Sequence, residues 1–67
     1  MNVEKLRAKL KEKGITDAQY ASALGINIST LYRMYKAGGA KMSVGQVHQT
    51  VSFLPLTNEE AVDIFLS

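Results

Sequence analysis

Hydrophobic side chains recur at helical spacing within residues 3–13. At intervals of three and four residues they form one apolar stripe among charged residues, made of Val3, Leu6 and Leu10. Asn2 is a residue type that favours the helix N-cap, and Gly14 is one that ends helices in a left-handed conformation. The pattern therefore predicts a first amphipathic helix over this stretch.

A second, shorter helix is predicted to begin after Thr16. Thr16 and Gln19 stand at capping-box spacing, in which each side chain bonds the backbone amide of the other residue. Apolar and small residues then continue to about Leu24, where Gly25 follows at once. Because glycine accepts the left-handed backbone of a sharp turn, we expect the chain to reverse direction there.

A third helix is predicted from Ile28 to about Lys36, capped by Asn27 and ended by Gly38 and Gly39. At 100° per residue its core-facing side chains, Leu31 and Met34, fall near 300° and 240° on the helical wheel. Polar side chains occupy the opposite side, between about 40° and 140°: Tyr32, Lys36, Ser29 and Arg33. We call these four residues the polar face. It contains no acidic residue, whereas an ordinary solvated helix face tends to mix both signs of charge.

Two further capping boxes predict the remaining helices. One begins at Ser43 and precedes an apolar stripe that consists of Val44, Val47, Val51 and Leu54. Gly45 weakens this helix and Pro55 closes it, and a strand over Ser52-Phe53-Leu54 is the alternative. The other box begins at Thr57 and places acidic residues in the first turn of a final helix.

The sequence thus predicts an all-α fold of five helices in a single domain spanning residues 1–67. There is no cysteine, His48 is the only histidine, and no nucleophile, base and orienting group stand together. We therefore expect no metal, no other cofactor and no enzymatic activity. The apolar stretches are too short to cross a membrane and the charged start does not resemble a signal peptide, so we expect a cytoplasmic protein with no membrane partner.

Charge is unevenly distributed along the chain, although the net charge is only +2. Residues 1–41 hold all eight basic residues and three of the six acids, for a net +5. Residues 42–67 hold the other three acids and no lysine or arginine, for a net −3. Such asymmetry favours a basic end that faces a polyanion and an acidic end turned away from it. The alternative is that these charges simply form solvated helix faces.

Residues 16–38, TDAQYASALGINISTLYRMYKAG, resemble the helix-turn-helix core of the phage repressor and Cro family, the lambda-repressor-like DNA-binding domains. The resemblance rests on the apolar-then-small pair Tyr20-Ala21, on Leu24-Gly25-Ile26 at the turn, and on the following helix from Asn27 to Met34. It extends over residues 4–56 and is looser beyond them. It implies a helix-turn-helix made of helices two and three, with the third helix in the DNA major groove.

Residue by residue, the resemblance implies that base edges are contacted by Asn27, Ile28, Ser29 and Arg33. Arginine can meet the two acceptors of guanine bidentately, and an aliphatic side chain can meet a thymine methyl group. Asp17 and Ile28 depart from the family, because some relatives carry there two glutamines that clamp a phosphate and an adenine. The base preferences of those relatives are therefore not transferable to this chain.

Phosphates flank the major groove on both sides, so the groups around the third helix are candidates for backbone contacts. They are Tyr32, Lys36, Lys41 and the backbone amides of Gly38 and Gly39. Tyr32 is equally compatible with a half-buried core position. The basic residues of the first helix point in several directions and are expected to be solvated: Lys5, Arg7, Lys9, Lys11 and Lys13.

Val62, Phe65 and Leu66 exceed what a short final helix needs, because Ala61 and Ile64 already supply its inward positions. They are candidates for a homodimer contact, since twofold dimers let such domains engage two half-sites. The alternative is that they complete a thin core.

The sequence-based hypothesis is a phage or prophage transcriptional regulator that represses by occupying double-stranded DNA as a dimer. A second hypothesis is an antirepressor-like module that binds another regulator protein through its last helix. The antitoxin of a toxin pair is a third. For this third hypothesis we expect an extended segment that wraps the toxin, and the short stretch after the last helix does not supply one.

Overall fold

Five α-helices account for most of residues 1–66, the part of the chain that the computed structural model describes. They are α1 (Val3–Glu12), α2 (Asp17–Leu24), α3 (Ile28–Lys36), α4 (Val44–Phe53) and α5 (Asn58–Phe65). No strand occurs in this part of the chain, so the all-helical prediction is confirmed. The alternative strand is wrong, because α4 continues through Phe53 and Leu54 caps it with helical backbone angles.

Each helix begins where a side chain satisfies its free backbone amides. All three predicted capping boxes form, as at Thr16, whose Oγ1 accepts from the Gln19 amide at 3.1 Å while the Gln19 side chain accepts from the Thr16 amide at 2.8 Å. Asn2 and Asn27 cap α1 and α3. Gly25 ends α2 at φ +71°, the left-handed conformation that glycine adopts without steric cost. These local signals define the helix ends.

A single core cluster joins all five helices and the segment between α4 and α5. Tyr20, Leu6 and Leu31 lie at its centre with none of their surface exposed. The remaining buried members are Leu10, Ala21, Leu24, Leu54, Leu56 and Ile64. Burial of this apolar surface supplies the main favourable free energy of folding.

The core-facing side of α4 differs from the predicted stripe. Val44 is 87 % exposed, whereas Thr50 is completely buried. The reason is geometric, because the buried pair Thr50 and Leu54 centres the core face about 100° away from Val44, which also stands at the exposed start of the helix. A polar residue therefore occupies a core position that the hydrophobic pattern did not identify.

The first and last helices pack against each other. The Asn2 amide donates to the Ile64 carbonyl at 2.6 Å, which ties the start of α1 to α5. Lys5 pairs with Asp63 and Lys9 pairs with Glu60, each at 2.6 Å. Two of the acids from the negative end of the sequence thus lie directly on basic residues of α1, and the predicted charge separation is only partly kept in space.

The helices of residues 1–66 are all too short or too polar to cross a lipid bilayer.

Candidate nucleic-acid interface

One side of α3 is embedded in the protein and the other is open. Leu31 is completely buried and Met34 is 6 % exposed, as predicted for the inward side of the helix. All four residues of the polar face are exposed, including Tyr32, whose exposed fraction is 48 %. The solvent exposure of the polar face is therefore confirmed.

The polar residues at the start of α3 form a connected set of hydrogen bonds. Asn27 Oδ1 accepts from the Thr30 amide at 2.9 Å and from Thr30 Oγ1 at 3.1 Å. Thr30 Oγ1 in turn accepts from an Arg33 Nη group at 3.3 Å. Through Thr30, the N-cap of the helix is thus linked to the Arg33 guanidinium nearly two turns further on, which limits the orientations that Arg33 adopts. Sequence reasoning identified Asn27 and Arg33 but missed Thr30 as the residue between them.

Ile28 and Ser29 complete the exposed start of the helix. Ile28 is 38 % exposed, so part of its aliphatic side chain is accessible beside the polar face. Asp17, the other departure from the family pattern, is partly buried as the first residue of α2, where a carboxylate favours the positive end of the helix dipole. The structure therefore provides a local role for Asp17 that does not involve a ligand.

The loop after α3 brings further basic and backbone groups beside the same surface. Lys41 lines a cleft of about 300 Å³ together with Thr30, Arg33 and Gln46. Gly38 and Gly39 have φ values of +68° and +77°, so the loop depends on glycine at both positions. A Cβ atom on Gly39 would also collide with the side chain of Met1. The predicted phosphate-contacting groups are thus neighbours of α3, and their contacts stay predictions.

Charge around α3 is positive and uncompensated. Within the described residues, Arg33, Lys36 and Lys41 make no salt bridge. The lysines of α1 differ, because Lys9 pairs with both Glu12 and Glu60, and Lys5 pairs with Asp63. The Lys9 hydrogen bond holds the pKa of Glu60 down at about 2, and the same bond raises the pKa of Lys9. The lysines nearest α5 are therefore neutralised within the protein, while those around α3 remain available.

Arg7 is exposed, as expected for a basic residue of α1, but its side chain also has a partner that the sequence did not indicate. Its guanidinium carbon lies 5.0 Å from the centre of the Tyr35 ring, within the range of a cation–π interaction. The Tyr35 hydroxyl is buried near the Asp17 carboxylate, but no group within residues 1–66 has the geometry of a full hydrogen bond to it. Burial, and next the nearby Asp17 carboxylate, raise the Tyr35 pKa far above its usual value, so the hydroxyl stays protonated. Only the tertiary structure brings Arg7 and Tyr35 together.

The three dimer candidates, at the end of α5 and on its C-cap, have different environments. Val62 is 54 % exposed and Leu66 is 78 % exposed. Phe65 is half-buried and packs against the protein's own core. Packing accounts for Phe65 without a partner, whereas the other two apolar side chains have no such explanation.

Comparison with known proteins found no matching family model, no matching curated protein and no matching solved structure.

Proposed function

We propose that this chain is a sequence-specific double-stranded DNA-binding transcriptional regulator of the phage repressor and Cro kind. In this proposal α2, the turn at Gly25 and α3 form a helix-turn-helix, and α3 enters the major groove. The observation that carries the proposal is the exposed polar face of α3, which has two cations, two hydroxyl groups and no acid. An acid-free helix of this kind matches a groove lined by base acceptors and bordered by phosphates.

Each exposed group at the start of α3 has a matching partner in the groove. The guanidinium of Arg33 can donate to O6 and N7 of guanine, and the methyl groups of Ile28 can pack on a thymine methyl. Asn27 can donate to a base edge through its side-chain NH₂ group, since its Oδ1 already accepts from Thr30, and the Ser29 hydroxyl can donate or accept. Lys36, Lys41, Tyr32 and the loop amides would hold the phosphates on either side, which positions the helix without reading sequence.

A second copy of the chain is part of the proposal. One domain of this size contacts only one half-site, and a twofold dimer engages two half-sites about one helical turn apart. Val62 lies on α5 and Leu66 is the C-cap that follows it, and the Leu66 amide donates to the Val62 carbonyl, so these two exposed residues lie close together at the end of the helix. They are the apolar groups available for an isologous contact.

The test is binding to fragmented genomic DNA, followed by anisotropy titrations of a selected duplex and a scrambled duplex at about 50 and 200 mM salt. We expect the selected duplex to bind more tightly, and both affinities to fall steeply with salt because bound phosphates release counterions. A Lys13→Ala variant, which removes one exposed charge away from α3, is the control and should bind almost as wild type does. Absence of salt-dependent binding to any duplex would refute the proposal.

The exposure of Val62 and Leu66 also favours a second candidate, an antirepressor-like module that binds another regulator protein through α5. The two functions differ in their dependence on DNA. Capture of a regulator protein that persists after nuclease treatment, and that Leu66→Ser abolishes, would favour this candidate. Loss of all partners after nuclease treatment would favour direct DNA binding.

A further inference from the structure

A groove of about 510 Å³ runs between the start of α1 and the second half of α3. Its lining includes three cationic side chains and two phenol rings but no acidic residue, and consists of Val3, Arg7, Tyr32, Arg33, Tyr35 and Lys36. The groove on the opposite side of Arg7 is different, because Glu4 and Asp17 line it. Arg7 therefore stands at the boundary between an acid-containing surface and an acid-free one.

Arg7 is held in place without being neutralised. Its guanidinium rests over the Tyr35 ring and makes no salt bridge within the described residues, although acids line the neighbouring groove. Stacking on an aromatic ring leaves the in-plane N–H donors of arginine free. A side chain that is already ordered also loses less conformational entropy when it binds a ligand.

We propose that this groove binds the DNA phosphate backbone, with Arg7 as a phosphate contact outside the helix-turn-helix. The inference rests on the proposed function, since the backbone strand in question is the one that borders the major groove occupied by α3. Tyr32, Arg33 and Lys36 belong both to the polar face and to this groove. A strand that passes along their side of α3 therefore reaches Arg7 as well. Arginine suits this position because its planar fork donates two hydrogen bonds to one phosphate.

The test compares two variants that each remove one positive charge from α1, Arg7→Ala and Lys11→Ala. Lys11 is exposed and lines the acid-containing groove, so it is the matched control. Arg7→Ala should weaken binding about fivefold at about 0.15 M salt, equally for selected and scrambled duplexes, and lower the slope of log K against log salt by about 0.9. Lys11→Ala should leave that slope unchanged. Equal slopes for the two variants would overturn the inference.

Two further measurements separate a binding role from a structural one. Arg7→Lys keeps the charge, so it should retain most of the salt slope, and a slope as low as that of Arg7→Ala would contradict a phosphate contact. The chain has two arginines, so their Nε–Hε signals can be followed by NMR in the wild-type protein. Both should shift when a duplex is added, and a shift of Arg33 alone would overturn the inference even if Arg7→Ala does not fold.

Failure of this inference is distinguishable from failure of the proposed function. Wild-type protein that binds no duplex refutes the proposed function and this inference with it. Wild-type protein that binds with a steep salt slope, while Arg7→Ala and Lys11→Ala behave alike, refutes only the assignment of Arg7.

Discussion

The hydroxyl group of Tyr20 on α2 lies 2.6 Å from that of Thr50 on α4, and both residues are completely buried. Thr50 Oγ1 also donates to the Gln46 carbonyl at 2.9 Å, which uses its only hydrogen. Tyr20 must therefore be the donor to Thr50. The hydrogen bond from Tyr20 therefore connects α2 to α4 through the core, and Thr50 donates its own hydrogen bond to the backbone of α4.

This arrangement predicts unequal effects for two conservative substitutions. Thr50→Val leaves the buried Tyr20 hydroxyl without an acceptor and should lower the free energy of unfolding by about 1–3 kcal/mol. Tyr20→Phe removes the donor while Thr50 keeps its bond to Gln46, so it should cost only about 0.5–1.5 kcal/mol. The double variant should cost less than the sum, because no unpaired hydroxyl remains. Urea denaturation followed by circular dichroism measures all three, and additive losses would contradict the pairing.

Alanine substitutions at Gly25 and Gly45 should change the stability of the protein in opposite directions. Gly25 has φ +71° and open space where a Cβ atom would lie. Gly25→Ala therefore causes no clash but forces alanine into the left-handed conformation, which should destabilise the protein by about 1–2 kcal/mol. Gly45 lies within α4, where a Cβ would stand 3.8 Å from Ser43 Oγ, so Gly45→Ala should stabilise the protein by about 0.5–1 kcal/mol. Thermal unfolding measures both changes in stability, and a stabilising effect of Gly25→Ala would contradict the left-handed turn at Gly25.

The Lys9–Glu60 ion pair predicts a loss of stability in acid. The pKa of Glu60 falls from 4.5 to about 2 on folding, chiefly through the hydrogen bond from Lys9. Its stabilising contribution is therefore complete above pH 4.5 and is lost as the pH falls towards 2. Melting temperatures measured across this range should decline less steeply for Glu60→Gln than for wild type. Glu59→Gln, at an exposed neighbouring acid, is the control and should follow the wild-type curve.

If the proposed function is correct, substitution of Arg33 should reduce the base specificity of DNA binding. Arg33→Ala should weaken binding to the selected duplex by about 1–3 kcal/mol and relax the preference at one base pair. Arg33→Lys keeps the charge but not the bidentate geometry, so it should retain the salt dependence and lose the preference. Titration against duplexes substituted at single positions measures both effects. An equal loss on every duplex would instead identify Arg33 as a phosphate contact.

Thr30→Val tests whether the hydrogen bond to Arg33 contributes to that preference. The substitution removes the acceptor at 3.3 Å but keeps the shape and the charge of the surface. We expect the preference at the Arg33 base pair to decrease while the salt slope remains that of wild type. An unchanged preference would show that Arg33 does not need Thr30 for its orientation.

The helices were predictable from the sequence because their signals are local. Each capping residue acts on an amide three positions away, and Gly25 turns the chain by its own backbone freedom. The exposure of the polar face was predictable for the same reason, since helical periodicity alone separates Ser29 and Arg33 from Leu31.

Position in the core was less predictable wherever a polar side chain finds a distant partner. Thr50 is buried because Tyr20, thirty residues away, supplies its hydrogen bond, and no pattern around Thr50 indicates this. Val44 is exposed because the core face of α4 is centred on Thr50 rather than on the valine stripe. Burial of a polar group costs free energy unless it is hydrogen-bonded, and here the donor is far away in the sequence. A hydrophobicity pattern therefore does not predict that this polar group is buried.

What the sequence determined by itself is the set of five helices, their ends and the acid-free side of α3, since all of these depend on residues within one or two helical turns. Tertiary structure alone decided which positive charges stay available. Lys5 and Lys9 meet acids of α5 and are neutralised, while Arg7 meets the ring of Tyr35 and keeps its charge. The physical reason is that charge pairing depends on distance in space, and the partners of these three residues are far away along the chain.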